Sequence, residues 1–184
     1  MSHLYHLVGP PGSGKRTVGK HLSRLTGAAL LDNHLSNDPV FLAFGLDGIR
    51  PIPDEVWPLV GRIRAVVMEA AQAAPRGVSH IFTNYLVDHP DELGAVQKLR
   101  ALAAARGATF VPVWLGCDLE ELARRMTLPE RSERLKLRDP AGLRRMVGER
   151  GLLAPPPDAI RLDTTDLAPA DAALLIASHA GALF

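Results

Sequence analysis

The stretch Gly9-Pro-Pro-Gly-Ser-Gly-Lys-Arg-Thr17 constrains this chain more than any other, because of what flanks it. Before it, the apolar run Leu4–Val8 reads as a buried strand. After it, Lys15–Leu25 carries Val18, Leu22 and Leu25 at helical spacing, with Gly27 as a stop. A turn between strand and helix that holds Gly12 and Gly14 can close tightly enough for successive backbone N–H groups to converge on phosphate oxygens. The helix beginning near Lys15 adds the positive end of its dipole. Lys15 itself supplies a mobile charge for the β- and γ-phosphates of a nucleotide. Gly9, Pro10, Pro11, Gly12, Ser13, Gly14, Lys15, Arg16 and Thr17 are therefore the candidate ATP-binding residues. A glycine turn that merely joins strand to helix is the alternative.

One position departs from the pattern. The residue after such a lysine is ordinarily Ser or Thr, whose hydroxyl ligates magnesium. Here it is Arg16, which has no lone pair to donate. Mg2+ is then expected to be held by waters, the phosphates and a carboxylate from elsewhere. Thr17 is left for a phosphate contact.

Along the rest of the chain, short apolar runs alternate with helix-like stretches, which predicts a parallel sheet covered by helices. The further strands are expected at 28–31, 78–83, 109–115 and 159–162. Helices are expected over 59–74, 91–106, from 119 to 125 and over 169–180. The segment 33–45 reads as mixed, and 48–58, with Pro51, Pro53 and Pro58, as a loop. With 184 residues, this gives one α/β domain over 1–184.

Ligands of such sheets sit beyond the carboxyl ends of the strands. That rule points to Asp32, Asn33 and His34 after the second strand and to Thr83 and Asn84 after the third. Asp32 is the candidate for a water-mediated Mg2+ contact or for orienting an acceptor hydroxyl, and equally a favoured cap for the helix that follows. His34 reads as a base or substrate contact, or as an ordinary polar residue near a helix start. The third strand ends without a carboxylate, at Asn84, which throws more weight onto Asp32.

Between Arg124 and Arg150, nine basic residues face only four acidic ones, in a chain whose formal net charge is +1. A solvated face mixes signs more evenly, so these arginines suggest a cationic surround for a transferring phosphoryl group. Nucleic acid is disfavoured as the partner, since the segment has no aromatic residue to stack on bases. The lone Cys117 excludes an internal disulfide framework and reads as a structural thiol. No apolar run reaches a membrane-spanning length and the N-terminus lacks signal-peptide character, so a cytoplasmic location is expected.

Taken together, these stretches resemble the P-loop small-molecule kinase group. The Lys15-Arg16-Thr17 step is similar to adenylate kinases, which also lack a hydroxyl residue directly after the lysine and carry threonine one step later. Residues 17–27, Thr-Val-Gly-Lys-His-Leu-Ser-Arg-Leu-Thr-Gly, are similar to the first helix of shikimate kinases. Leu31-Asp-Asn-His-Leu35 resembles kinase-like ATPases with an Asn-His-Leu signature. The resemblance implies a three-layer P-loop NTPase fold, with a five-stranded parallel sheet, helices on both faces and a small helical lid at 124–150. It implies an acceptor-binding region at 35–64 and an acidic residue at Asp32 that serves the acceptor. It also implies a role for Arg125, in Leu122-Ala-Arg-Arg125, against the adenine, phosphate-facing lid arginines at Arg131 and Arg134, and a base-side loop at Asp163 and Thr164. The activity implied is ATP-dependent transfer of the γ-phosphoryl group to a small molecule. A nucleotide-binding protein without catalysis is the alternative, and a kinase of nucleic-acid ends a third.

Overall fold

The computed structural model describes residues 1–129 and 137–182. Five strands form one parallel sheet: β1 (His3–Val8), β2 (Ala29–Leu31), β3 (His80–Asn84), β4 (Thr109–Gly116) and β5 (Ile160–Asp163), in the order β2-β3-β1-β4-β5. β1 is the central strand, registered against β3 from Leu4↔His80 to Val8↔Asn84 and against β4 from His3↔Thr109 to Val8↔Trp114. Leu4, Tyr5, Leu7 and Val8 have no exposed surface, so both faces of this strand must be covered. Parallel sheets meet that need with helices on each side.

Side chains alternate across the strand, and the two cores follow that alternation. On one face Tyr5 and Leu7 pack with Val113 and Leu115, beneath Val18 and Leu22 of α1 (Lys15–Thr26) and the small residues Ala172, Ala173 and Ala177 of α7 (Pro169–His179). On the other, Leu4 and Phe82 pack under Ala71 of α3 (Val56–Ala73) and Leu99, Leu102 and Ala103 of α4 (Leu93–Arg106). Val8 and Trp114 continue that layer against Val96. Helices on both faces of a five-stranded parallel sheet are what the sequence led us to expect.

Three local differences have physical reasons. The mixed segment 33–45 contains a helix, α2 (His34–Ala43), with Pro39 inside it. The proline lacks an N–H and obscures the pattern. The helix is held by Val40 and Phe41, which pack with Leu46, Val56 and Val60. α3 begins at Val56, not at 59. Pro58 lies in its first turn, where the missing N–H would have no partner anyway. Finally, the strand expected at 78–83 runs His80–Asn84, which makes Asn84 its last residue.

The chain from β4 onward closes the carboxyl edge of the sheet. Asp118 caps α5 (Leu119–Met126) by accepting from the N–H groups of Glu120 and Glu121. Asp139 caps α6 (Pro140–Arg150) through Ala141 N–H at 2.9 Å. The two helices share a core of Leu122, Ala123, Met126 and Leu143.

Candidate functional site

The glycine loop turns as its composition requires. Gly12 and Gly14 adopt φ of +93° and +82°, a region costly for any residue with a Cβ. Gly12 is further confined by α5, since a Cβ there would lie 2.7 Å from Met126 Cε. Gly14 is the N-cap of α1, so the loop leads straight into a helix whose first N–H groups have no intrahelical partner. Lys15 Nζ donates to Gly9 O at 2.7 Å and Pro10 O at 2.8 Å, which folds the ammonium over the mouth of the loop. Ser13 N–H donates to Pro10 O. The Ser13 hydroxyl is fully buried and has no hydrogen-bond partner among the described residues. The loop is anchored to the sheet by Gly9 N–H, which donates to Asn84 O at 3.2 Å. Thr17, the third residue of the helix, is exposed.

On the other side of β3, the end of β2 carries a connected polar cluster. Asp32 is 6 % exposed, and its Oδ1 accepts the Thr83 hydroxyl at 3.0 Å. That hydroxyl accepts in turn from Asn33 N–H at 3.1 Å. Asp32 Oδ2 lies 2.9 Å from Arg16 Nε as an ion pair, yet the N–H is not aimed along the line and Oδ2 has no directed hydrogen bond. Asn33, not Asp32, occupies the N-cap of α2, and the reach from His34 N–H to Asp32 Oδ1 is a long 3.5 Å. His34 Nδ1 is 2.8 Å from Asp38 Oδ1, so that nitrogen is committed to its own helix. Asp32, Asn33, His34 and Thr83 are therefore brought together at one edge.

The side chain of Asn84, which alternates to the opposite face of β3 from Thr83, is held instead by a residue the sequence reading missed. His6, fully buried in β1, has Nε2 3.0 Å from Asn84 Oδ1. An oxygen there requires Nε2 to carry the proton. Burial among Phe110 and Trp114 lowers the His6 pKa to about 4, with the Asn84 hydrogen bond acting weakly the other way. The ring is thus neutral and fixes which way the Asn84 amide points. A histidine inside an otherwise apolar strand was the available signal.

The turn after β5 is tied to the glycine loop by Arg125 and Thr164. Arg125 donates through Nη1 to Gly12 O at 3.3 Å and through Nη2 to Thr164 O at 2.8 Å and Thr165 O at 3.0 Å. Its Nε is held by Glu121 Oε1 at 2.7 Å, one helical turn earlier. Two arginine hydrogen bonds hold the Glu121 carboxyl down at about 2. The buried Thr164 hydroxyl lies 2.9 Å from Gly116 O and 3.2 Å from Ser13 O. Asp163 does not face the loop: its carboxylate accepts from Thr165 N–H and hydroxyl, an ordinary turn that lowers its pKa. Cys117 is half-buried beside this loop, and burial raises its thiol pKa.

The basic segment divides. Arg124 pairs with Glu121, Arg144 with Glu120 and Arg145 with Asp139, all on the surface. Arg138 instead crosses to the loop before α3, donating through Nη2 to Asp47 O at 3.2 Å and through its N–H to Gly48 O. Arg131 and Arg134 lie outside the described residues. Between these segments is a cleft of about 480 Å³ lined by Ile49, Met126, Thr127, Leu128, Pro129 and Arg138.

The described residues do not make a magnesium site of their own. Among the described residues there is no group of three or more His, Cys, Asp or Glu side chains that could share a metal ion. Asp32, the carboxylate that reaches the loop through Arg16, accepts at Oδ1 from Thr83 and turns Oδ2 toward the guanidinium. No helix among the described residues is long and apolar enough to cross a membrane.

No protein-family model matches the chain, and no curated protein matches it. Solved structures do. A sugar kinase from Janibacter sp. is 22 % identical, with 97 % of this chain and 94 % of that one covered and a TM-score of 0.62. A putative kinase from Chloroflexus aurantiacus is 17 % identical over 97 % of this chain and 98 % of that one, with a TM-score of 0.68. The shikimate kinase of Acinetobacter baumannii, solved with shikimate, is 22 % identical over 97 % and 93 %, with a TM-score of 0.52. The fold is that of the P-loop kinases.

Proposed function

We propose that this protein is an ATP-dependent phosphotransferase that moves the γ-phosphoryl group to a small-molecule acceptor. The observation that carries the reading is the pairing, across the end of β3, of an anion cradle with an acid–hydroxyl–amide cluster. The cradle is Gly9–Lys15 with its two left-handed glycines and its ammonium; the cluster is Asp32, Asn33 and Thr83. Structural neighbours that are a sugar kinase and a shikimate kinase agree with it in kind.

Phosphoryl transfer asks the protein mainly for positioning and for cationic stabilisation of the equatorial oxygens. Lys15 exchanges its two carbonyl partners for phosphate oxygens when the nucleotide enters. The backbone N–H groups of Gly14 and Lys15 and the dipole of α1 hold the β-phosphate. Arg125, locked by Glu121, lies on the adenine side beside Thr164. An acceptor hydroxyl is oriented by Asp32, with Asn33, His34, Thr83 and Asn84 as contacts. Arg131 and Arg134 are proposed, on the resemblance alone, to meet the transferring phosphate. Magnesium is part of the substrate in this reading, carried on the phosphates with its waters. A contact from Asp32 through water would compete with Arg16 for the same oxygen. The cleft beside Ile49 and Arg138 is of a size for a small metabolite.

The test is ADP release with a panel of sugars, sugar acids, cyclic hydroxy acids and nucleosides, for the wild type and for Lys15→Ala. Acceptor-stimulated turnover that disappears in Lys15→Ala is expected. Tight ATP binding with no acceptor ever phosphorylated would favour a nucleotide sensor, to which the Arg16–Asp32 pair also lends itself.

A further inference from the structure

Strand order makes the Arg16–Asp32 contact informative. The loop follows β1 and Asp32 follows β2, and these strands are separated by β3. Two strand spacings are roughly 10 Å. α1 lies over that gap, close enough that a Cβ on Gly19 would sit 2.8 Å from Leu30 of β2. From the first turn of α1, Arg16 then spans the end of β3 to reach Asp32. Its guanidinium occupies the space between the phosphate loop and the acceptor cluster. A Ser or Thr at this position would instead give its hydroxyl to a divalent cation carried on the phosphates.

The contact is a built one. Asp32 is buried, with its side chain 7 % exposed, and Arg16 is 23 % exposed, so the pair is only weakly screened. Thr83 fixes the carboxylate from the other side, which leaves Arg16 facing the oxygen with no directed hydrogen bond. A guanidinium has five N–H donors, and among the described residues Arg16 meets only Asp32, through Nε. They match phosphate oxygens as a planar fork.

We propose that Arg16, held on Asp32, supplies the fixed positive charge beside the β- and γ-phosphates, so that this loop binds ATP without needing a divalent cation. The inference rests on the nucleotide-binding part of the function proposed above and not on the identity of the acceptor. It assigns Arg16 as a binding residue and Asp32 as the group that positions it.

The test is ATP affinity by calorimetry, in excess Mg2+ and in excess EDTA, for the wild type, Arg16→Ser and Asp32→Asn. The wild type is expected to bind ATP within about threefold in the two media. Arg16→Ser, which restores a metal-ligating hydroxyl, is expected to weaken by about tenfold or more in EDTA and to recover with Mg2+. Asp32→Asn, which removes the charge that holds Arg16, is expected to change ATP affinity in EDTA by about threefold or more, and wild-type affinity in that variant would show that Asp32 does not position Arg16. A wild type that loses about tenfold or more on chelation overturns the inference, and needs no variant to fold. Equal behaviour of Arg16→Ser and wild type in both media overturns it too. Absence of ATP binding in either medium removes the phosphate-cradle reading as well, which separates the two failures.

Discussion

Acidification should destabilise this protein through His6. The imidazole is fully buried, and burial lowers its pKa from 6.5 to about 4. Unfolded, it takes a proton near its ordinary value, so the unfolded state binds more protons through this window. The sign follows: a depressed folded-state pKa gives stability that is complete above about pH 6.5 and is lost as pH falls toward about 4. Integrating one group between about pH 7 and about pH 5 gives a loss of about 2 kcal/mol. His80, whose pKa is lowered by burial and then by the Arg106 charge, adds to the loss in the same direction. Glu92, raised by burial, acts oppositely, favouring the fold more at low pH. The assay is urea denaturation across this range for the wild type and His6→Leu. The variant should be less stable at neutral pH, because Asn84 Oδ1 loses its donor, and its stability should fall by about 2 kcal/mol less on acidification. Parallel pH profiles for the two proteins would show that His6 is not the buried neutral group described, and the argument for its hold on Asn84 would fail with it.

Three further outcomes are expected. Gly12→Ala places a Cβ at φ +93° against Met126, so it should cost about 1–3 kcal/mol in thermal denaturation and weaken ATP binding; an unchanged melting curve would contradict the loop geometry. Arg106→Met should be destabilising by about 2 kcal/mol, because the buried Arg106 guanidinium donates to the carbonyl of Ala71 in α3 and to those of Ala74, Pro75 and Val78 after it, and the buried Ala71 carbonyl would lose that partner; a shift in Tm near zero would refute it. Arg125→Ala should raise the KM for ATP by about tenfold with Arg124→Ala near the wild type, because only Arg125 reaches Gly12 and Thr164; equal effects of the two variants would place both on the surface.

What could be read in the sequence was what one segment decides for itself. The glycine turn needs only Gly12, Gly14 and Lys15 in order, and the alternation of apolar runs is enough for a parallel sheet. α2 was hidden because Pro39 interrupts it and its support comes from Val56 and Val60, in another helix. The division of the arginines was also out of reach. Arg124 and Arg125 are adjacent in sequence, and only the rotation of α5 sends one to the surface and the other to the loop. Asp163 and Thr164 show the same lesson, since one side chain closes its own turn while the next is buried against Ser13 and Gly116. The reach of Arg16 to Asp32 depends on β3 lying between β1 and β2, which is a matter of strand order.

The account stands on the loop as a phosphate cradle, and backbone amide resonances test that most directly. On titrating ATP into isotope-labelled protein, the amides of Gly12, Ser13, Gly14 and Lys15 are predicted to shift together with those of Arg125 and Thr164, and Lys15→Ala to abolish the change. ATP binding that leaves the loop amides where they were, or that persists unaltered in Lys15→Ala, would contradict it.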